Sequence, residues 1–60
     1  MFDVFEVDIA TRKVRAMGTE KTERNAEAIE RMAIMRRGND SNFFVTVPAG
    51  LYADGDTFDA

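Results

Sequence analysis

Residues 22–38 carry the longest helical periodicity in the sequence, and this segment constrains the fold most strongly. The Thr22 hydroxyl can accept a hydrogen bond from a free amide of the first helical turn. Gly38 supplies the left-handed residue that ends many helices. Between them, apolar side chains fall within one half of the helix circumference and most charged side chains within the other. The segment is therefore predicted to be an amphipathic helix that packs against another element.

Three further segments have the apolar patterns of β-strands. Residues 3–9 read DVFEVDI, residues 13–17 read KVRAM, and residues 43–47 read FFVTV. Gly18 is expected to end the second strand, and Pro48 to close the third because proline cannot donate to a ladder. The first two strands are expected to form a β-hairpin.

The resulting order, β-β-α-β, predicts an α+β fold with one three-stranded sheet. A strand-helix-strand crossover between parallel strands is almost always right-handed. This rule places the third strand beside the first and antiparallel to it, giving the sheet order 2-1-3. We expect the helix to cover the sheet face that bears Phe5, Val7 and Ile9, together with Val14 and Ala16 of the second strand.

Charge divides the chain into a β-β-α-β domain, residues 1–50, and an acidic C-terminal tail, residues 51–60. The domain contains eight acidic and eight basic residues, so its charges balance. The net charge of −3 comes from three aspartates of the tail, Asp54, Asp56 and Asp59. Two arrangements remain open for the tail: it packs on the domain through its apolar residues, or it stays free for a partner.

Small size limits the core that this chain can form. A 60-residue domain hides only about 60% of the surface that its unfolded chain exposes. The sequence has no cysteine for a disulfide and no histidine for a metal cluster. Association with another protein chain is the remaining source of stability, and we predict a homodimer that buries the second face of the sheet or pairs edge strands.

Several classes of protein fit the composition poorly. The N-terminal segment places acids among its apolar residues, unlike a signal peptide. No apolar run approaches the roughly 20 residues that cross a bilayer, so a cytoplasmic location is expected. The basic residues are interleaved with acids instead of forming the stripe typical of nucleic-acid binders. Membrane and nucleic-acid partners are therefore not expected.

Catalytic and metal-binding patterns are also missing from the sequence. Without histidine or cysteine, general acid-base or nucleophilic chemistry would require carboxylates, lysine or hydroxyl groups held in a cleft. The Asp54-Gly55-Asp56 triplet resembles part of a calcium loop but lacks its later ligands. We expect no enzyme activity, no cofactor and no metal site.

Methionines and two exceptions to the helix pattern leave alternatives open. Met17, Met32 and Met35 are typical of core packing, and the alternative is an adaptable surface for partners. Ile34 falls on the charged side of the helix, where it is an ordinary exposed residue or a contact with a partner. Arg36 falls near the apolar side, where its stem can lie over the core and its head can meet Asp40 at the edge.

The surfaces left over by this fold are the candidate binding sites. If the helix covers the Phe5 face, the opposite sheet face presents an apolar surface that a monomer would not normally leave open. The acidic tail is the second candidate. The predicted partner-binding residues are Val4, Met17, Phe44, Tyr52, Asp54, Asp56 and Phe58.

Parts of the sequence resemble very short, uncharacterised proteins of bacteriophage and prophage genomes. The runs that carry this resemblance are AIMRRGND at residues 33–40, FFV at residues 43–45 and PAGLYADGD at residues 48–56. The resemblance implies a protein that binds a host protein and blocks or redirects it. The sequence thus predicts a small non-enzymatic protein-binding module, with a self-associating structural protein as the alternative.

Overall fold

The computed structural model describes residues 1–36 and 41–59. It contains four elements: β1 (Phe2–Asp8), β2 (Val14–Glu20), α1 (Glu23–Arg36) and β3 (Asn42–Pro48). The strands form one sheet in the order β2-β1-β3, and the central strand β1 is antiparallel to both neighbours. The predicted α+β class, element order and sheet order are confirmed.

The second strand is longer than predicted, because Gly18 does not end it. The pairing shifts from Phe5 with Ala16 to Val4 with Gly18, so Met17 is the extra residue of a β-bulge. A Cβ atom at Gly18 would lie 3.3 Å from Ile29 Cδ1 of the helix. Glycine at this position is thus explained by the close approach of the helix, and the strand continues beyond it.

The hairpin loop begins one residue earlier than the apolar alternation indicates. The Asp8 carboxylate accepts hydrogen bonds from the backbone amides of Ala10 and Thr11, at 2.8 and 3.0 Å. Arg12 then takes a left-handed conformation with φ of 65°. Because β1 ends at this turn, Ile9 is half-exposed and does not join the core as predicted.

The N-terminus of α1 is capped by the predicted residue. Thr22 Oγ1 accepts a hydrogen bond from the Asn25 amide at 3.2 Å, and the Thr22 carbonyl accepts from the Ala26 amide at 3.1 Å. The first bond satisfies an amide that has no acceptor within the helix, and the second is the first bond of the helical ladder. The predicted start of the helix is confirmed, whereas its predicted end at Gly38 lies outside the described residues.

The helix covers the sheet face opposite to the predicted one. Thr46 Oγ1 donates to Glu30 Oε2 at 3.0 Å, and Ile29 approaches Gly18. Thr46 and Gly18 both pair with Val4, which lies between them and is fully buried. Side chains of directly paired residues share a face. The prediction that α1 covers Phe5, Val7 and Ile9 is therefore wrong.

The C-terminal segment, residues 51–59, covers the other face. Its aromatic side chains pack against a core cluster formed by Phe5, Val7 and Val14. Tyr52 meets the Phe5 ring edge-on with centroids 6.0 Å apart. Phe58 meets the Phe43 ring at 5.8 Å in a similar geometry. The structure thus shows the packed arrangement for residues 51–59.

Backbone hydrogen bonds attach the C-terminal segment to the outer edge of β2. Val14 donates to the Asp56 carbonyl and accepts from the Gly55 amide, both at 2.8 Å. The Phe58 amide donates to the Arg12 carbonyl at 2.7 Å. The segment therefore covers both an apolar face and one edge of the sheet.

Replacement of Phe58 by alanine tests the contribution of this segment to stability. We expect Phe58→Ala to lower the free energy of unfolding by about 2–3 kcal/mol, because it removes a partly buried ring from the core. Leu51→Ala is the matched control, since Leu51 is 60% exposed, and a change within about 0.5 kcal/mol is expected. Urea denaturation measures both values. Equal losses in the two variants would contradict the packed arrangement.

Candidate protein-binding surfaces

The structure separates the predicted partner-binding residues onto two faces of the sheet. Val4 and Phe44 are buried on the face that α1 covers. Tyr52 and Phe58 pack on the opposite face. Only Met17 of the predicted apolar sheet residues remains partly exposed. The prediction of an open sheet face centred on Val4 and Phe44 is therefore wrong, because the helix covers that face.

The acidic residues of the C-terminal segment have partners within the chain. Asp54 Oδ1 accepts from the Ala16 amide, and Asp56 Oδ2 accepts from the Ala53 amide, both at 2.7 Å. The Asp54 bond fastens the segment to β2, and the Asp56 bond closes a local turn. Both carboxylates thus help to hold the segment in place, and their role in binding a partner stays a prediction.

Asp59 forms a hydrogen bond with Tyr52, the only tyrosine of the sequence. Tyr52 Oη donates to Asp59 Oδ1 at 2.9 Å. This hydrogen bond to a carboxylate raises the pKa of Tyr52 above its ordinary value of 10.0, and partial desolvation acts in the same direction. The neutral phenol is therefore the form that the fold favours. Tyr52 is thus engaged on both its ring and its hydroxyl group.

A groove lies open between α1 and the sheet. Its volume is about 560 Å³. The lining residues are Glu6, Arg15, Met17, Ala28, Ile29, Met32, Ala33, Arg36, Asn42 and Phe44. Apolar side chains from the helix and the sheet provide most of its surface, and polar groups stand around it. This combination is typical of a binding cleft.

Small residues on the helix explain why the groove is open. Ala26 is the helix residue that is fully buried against the sheet, and Ala33 lies two turns later on the same side. Short side chains leave the space beside them unfilled. Met32 is 49% exposed and Met35 is 77% exposed, so the prediction that they form core is wrong. Met32 lines the groove with Met17, whereas Met35 points away from it.

Charged groups on the groove are arranged as one ion pair and one separate cation. Arg15 Nη2 lies 2.8 Å from Glu6 Oε1, and Arg15 Nε donates to the same oxygen at 2.9 Å. Glu6 also accepts from the Asn42 side-chain amide. Among residues 1–36 and 41–59, Arg36 has no carboxylate partner. Its expected contact with Asp40 lies outside the described residues. The groove therefore presents a cationic group at its helix side.

The sequence interpretation missed this groove for a definable reason. Its helix residues are those expected to fill the core, and only the position of Arg36 near the apolar side broke the pattern. That exception was a genuine signal, since Arg36 lines the groove. The interpretation of the methionines as an adaptable surface describes Met17 and Met32 but not Met35.

The described residues show neither a metal-binding cluster nor a membrane-spanning helix. Residues 1–36 and 41–59 contain no cluster of three or more histidine, cysteine, aspartate or glutamate side chains arranged to hold a metal ion. Within the same ranges, no helix has the length and apolar character needed to span a membrane. No protein-family model, curated protein or solved structure matches the chain.

Titration of Tyr52 tests its contact with Asp59. The sequence has one tyrosine and no tryptophan, so phenolate absorbance near 295 nm reports this residue alone. We expect a midpoint above pH 10.0 in the unmodified protein, and a lower midpoint in Asp59→Ala. The raised pKa stabilises the fold below pH 10.0, and this contribution is lost as pH rises through the folded-state pKa.

Glu20→Ala is the matched control for this titration. It removes one carboxylate at the far end of β2 and should leave the midpoint unchanged. An unchanged midpoint in Asp59→Ala would show that the hydrogen bond does not form in solution.

Proposed function

We propose that this chain is a small, non-enzymatic protein-binding module whose partner binds in the groove between α1 and the sheet. The observation that carries the proposal is the pair of exposed methionines, Met17 and Met32, on opposite walls of an apolar groove that the chain leaves unfilled. Exposed apolar surface of this kind is typical of contact sites.

The chemistry of the groove indicates what kind of segment it accepts. Methionine side chains are flexible and polarisable, so they adapt to differently shaped apolar groups. Ile29 and Phe44 form firmer parts of the lining. Arg36 favours a carboxylate at the end of the groove nearest the C-terminus of α1. The fitting partner is therefore a protein segment with apolar side chains followed by an acidic residue.

A binding role is also supported by the way the polar groups are used. Glu6 and Arg15 neutralise each other across adjacent strands. A general acid or base needs a free group within hydrogen-bond reach of a reacting atom. In this groove the closest acid and base are instead joined to each other, as expected for the wall of a docking site.

The resemblance to short bacteriophage proteins extends the proposal to an inhibitor or adaptor. Such a protein would act in the bacterial cytoplasm by covering a host protein's functional segment. A groove of this kind and the small size of the chain suit a protein that blocks one site on its target. The alternative function is a self-associating structural or accessory protein. The outer edge of β3, which no other element covers among residues 1–36 and 41–59, supports this alternative.

Charge substitution of Met32 tests the groove. We expect Met32→Glu to abolish capture of a partner from bacterial lysate, because it places a carboxylate in the apolar lining. Met35→Glu is the matched control: it makes the same change on the same helix, at a side chain that is 77% exposed and outside the groove. Affinity capture followed by mass spectrometry, with circular dichroism to verify folding, compares the variants.

Equal loss of the same partner in both variants would show that overall charge, and not the groove, governs binding. Retention of the partner by folded Met32→Glu would contradict the proposed site.

A further inference from the structure

The two outer edges of the sheet differ in how they are covered. The C-terminal segment pairs with the outer edge of β2, and the contact of Lys13 with Thr57 is part of that pairing. The outer edge of β3 has no such covering element among residues 1–36 and 41–59. An uncovered edge presents backbone groups that can pair with another strand.

The pairing of β3 with β1 shows which backbone groups point outwards. The ladder is regular from Phe2 with Pro48 to Asp8 with Asn42. Hydrogen bonds from the Ala49 amide to the Met1 carbonyl and from the Ile9 amide to the Ser41 carbonyl bracket it at both ends. Hydrogen-bonded pairs alternate along an antiparallel ladder. The odd-numbered residues of β3 therefore face β1, and the even-numbered residues face away.

On β2 the outward-facing backbone amides have partners within the chain. The Asp8 amide donates to the Lys13 carbonyl, so Val14 and Ala16 are the residues that face outwards. Both amides are bonded to the C-terminal segment, to the Asp56 carbonyl and the Asp54 carboxylate. On β3, the amides of Phe44 and Thr46 have no corresponding acceptor in the described part of the chain.

The β3 edge also lacks the features that normally keep edges unpaired. Its seven residues, NFFVTVP, include no charged side chain. Its pairing with β1 contains no bulge, unlike that of β2. Pro48 lies at an outward position, but at the end of the strand. Charges, bulges and central prolines are the usual means of protecting an edge, so β3 is open for pairing over most of its length.

We propose that β3 pairs antiparallel with β3 of a second copy, centred on Val45, to form a six-stranded sheet in a homodimer. In this register the Phe44 amide donates to the Thr46 carbonyl of the second copy, and the Thr46 amide donates to the Phe44 carbonyl of the second copy. Each chain thus contributes two donors, and the free amides of the edge are satisfied.

Self-complementarity favours a second copy as the occupant. The centred register places Val45 opposite Val45 of the second copy, and Phe43 opposite its Val47, on one face of the sheet. Aromatic and β-branched residues are the stabilising partners in such cross-strand pairs. Because β3 is uncharged, two molecules that each carry a net charge of −3 meet without like charges opposed along the strand.

Ile34 gives this edge an apolar flank. Glu30 bonds to Thr46 of β3, and Ile34 follows one helical turn later on the same side of α1. Its side chain is 46% exposed. A two-fold axis perpendicular to the sheet leaves both helices on one face, with each Ile34 directed towards the junction. The groove is lined by side chains of all three strands, including Phe44 of β3. The proposed pairing uses outward backbone groups of β3 and not these side chains, so the two proposals can fail independently.

Substitution of Thr46 by proline tests the pairing. Proline removes an outward amide that β1 does not use, and edge positions of this kind tolerate proline. Thr46→Val is the matched control, because it also loses the hydroxyl bond to Glu30 but keeps the amide. We expect sedimentation equilibrium to show a dimer for the unmodified protein and Thr46→Val, and self-association weakened roughly tenfold or more for Thr46→Pro.

A synthetic chain with N-methylated Phe44 keeps the test decisive if Thr46→Pro does not fold. This change removes the other outward donor and leaves the Phe44 side chain intact, so it should also yield a folded monomer. The proposal would be overturned if the unmodified protein stayed monomeric at several hundred micromolar. It would also be overturned if that monomer used the β3 edge to bind an extended peptide of another protein. A dimer unaffected by N-methylation, or one dissociated by Met32→Glu, would overturn it as well.

Discussion

The fold depends on the apolar character of β1 on both of its faces. Val4 points to one side of the sheet, and Phe5 and Val7 to the other; all three are buried. A strand with one apolar face needs one element packed on it, but β1 has two apolar faces and needs an element on each. The helix provides one and the C-terminal segment the other, so the last residues of the chain are as much a structural layer as α1. A 60-residue chain achieves this by placing the sheet between them.

This constraint also explains what could be predicted from the sequence. Strand patterns, the Thr22 cap and the handedness of the crossover identified the elements and the strand order, because these depend on local chemistry and chirality. The choice of the face for α1 is a different problem. Both faces of β1 are apolar, and the decisive contacts are a glycine that admits Ile29 and a hydroxyl group that reaches Glu30. Neither contact appears as a periodic signal.

The candidate site was mispredicted through the same ambiguity. The sequence pattern assigns the helix to the Phe5 face and therefore leaves Val4 and Phe44 open. It also places Met32 in the core, because helical spacing does not reveal how close a helix lies to its sheet. Alanines at the contact bring the backbones together and leave a longer side chain such as Met32 beside the contact. The acidic side chains near the C-terminus have a structural role within the chain. Asp54, Asp56 and Asp59 each accept a hydrogen bond from another residue of the same chain.

The pairing of the C-terminal segment with β2 has a consequence for assembly. A sheet with two open edges can add strands at either side, which is the geometry of fibrils and other open-ended polymers. Here one edge is already terminated by the chain's own residues 54–58. If two molecules pair through β3 as proposed, each uses its open edge in that contact, and the particle closes with two-fold symmetry. In such an assembly, residues 54–58 would set the upper limit on its size, because they occupy the other edge.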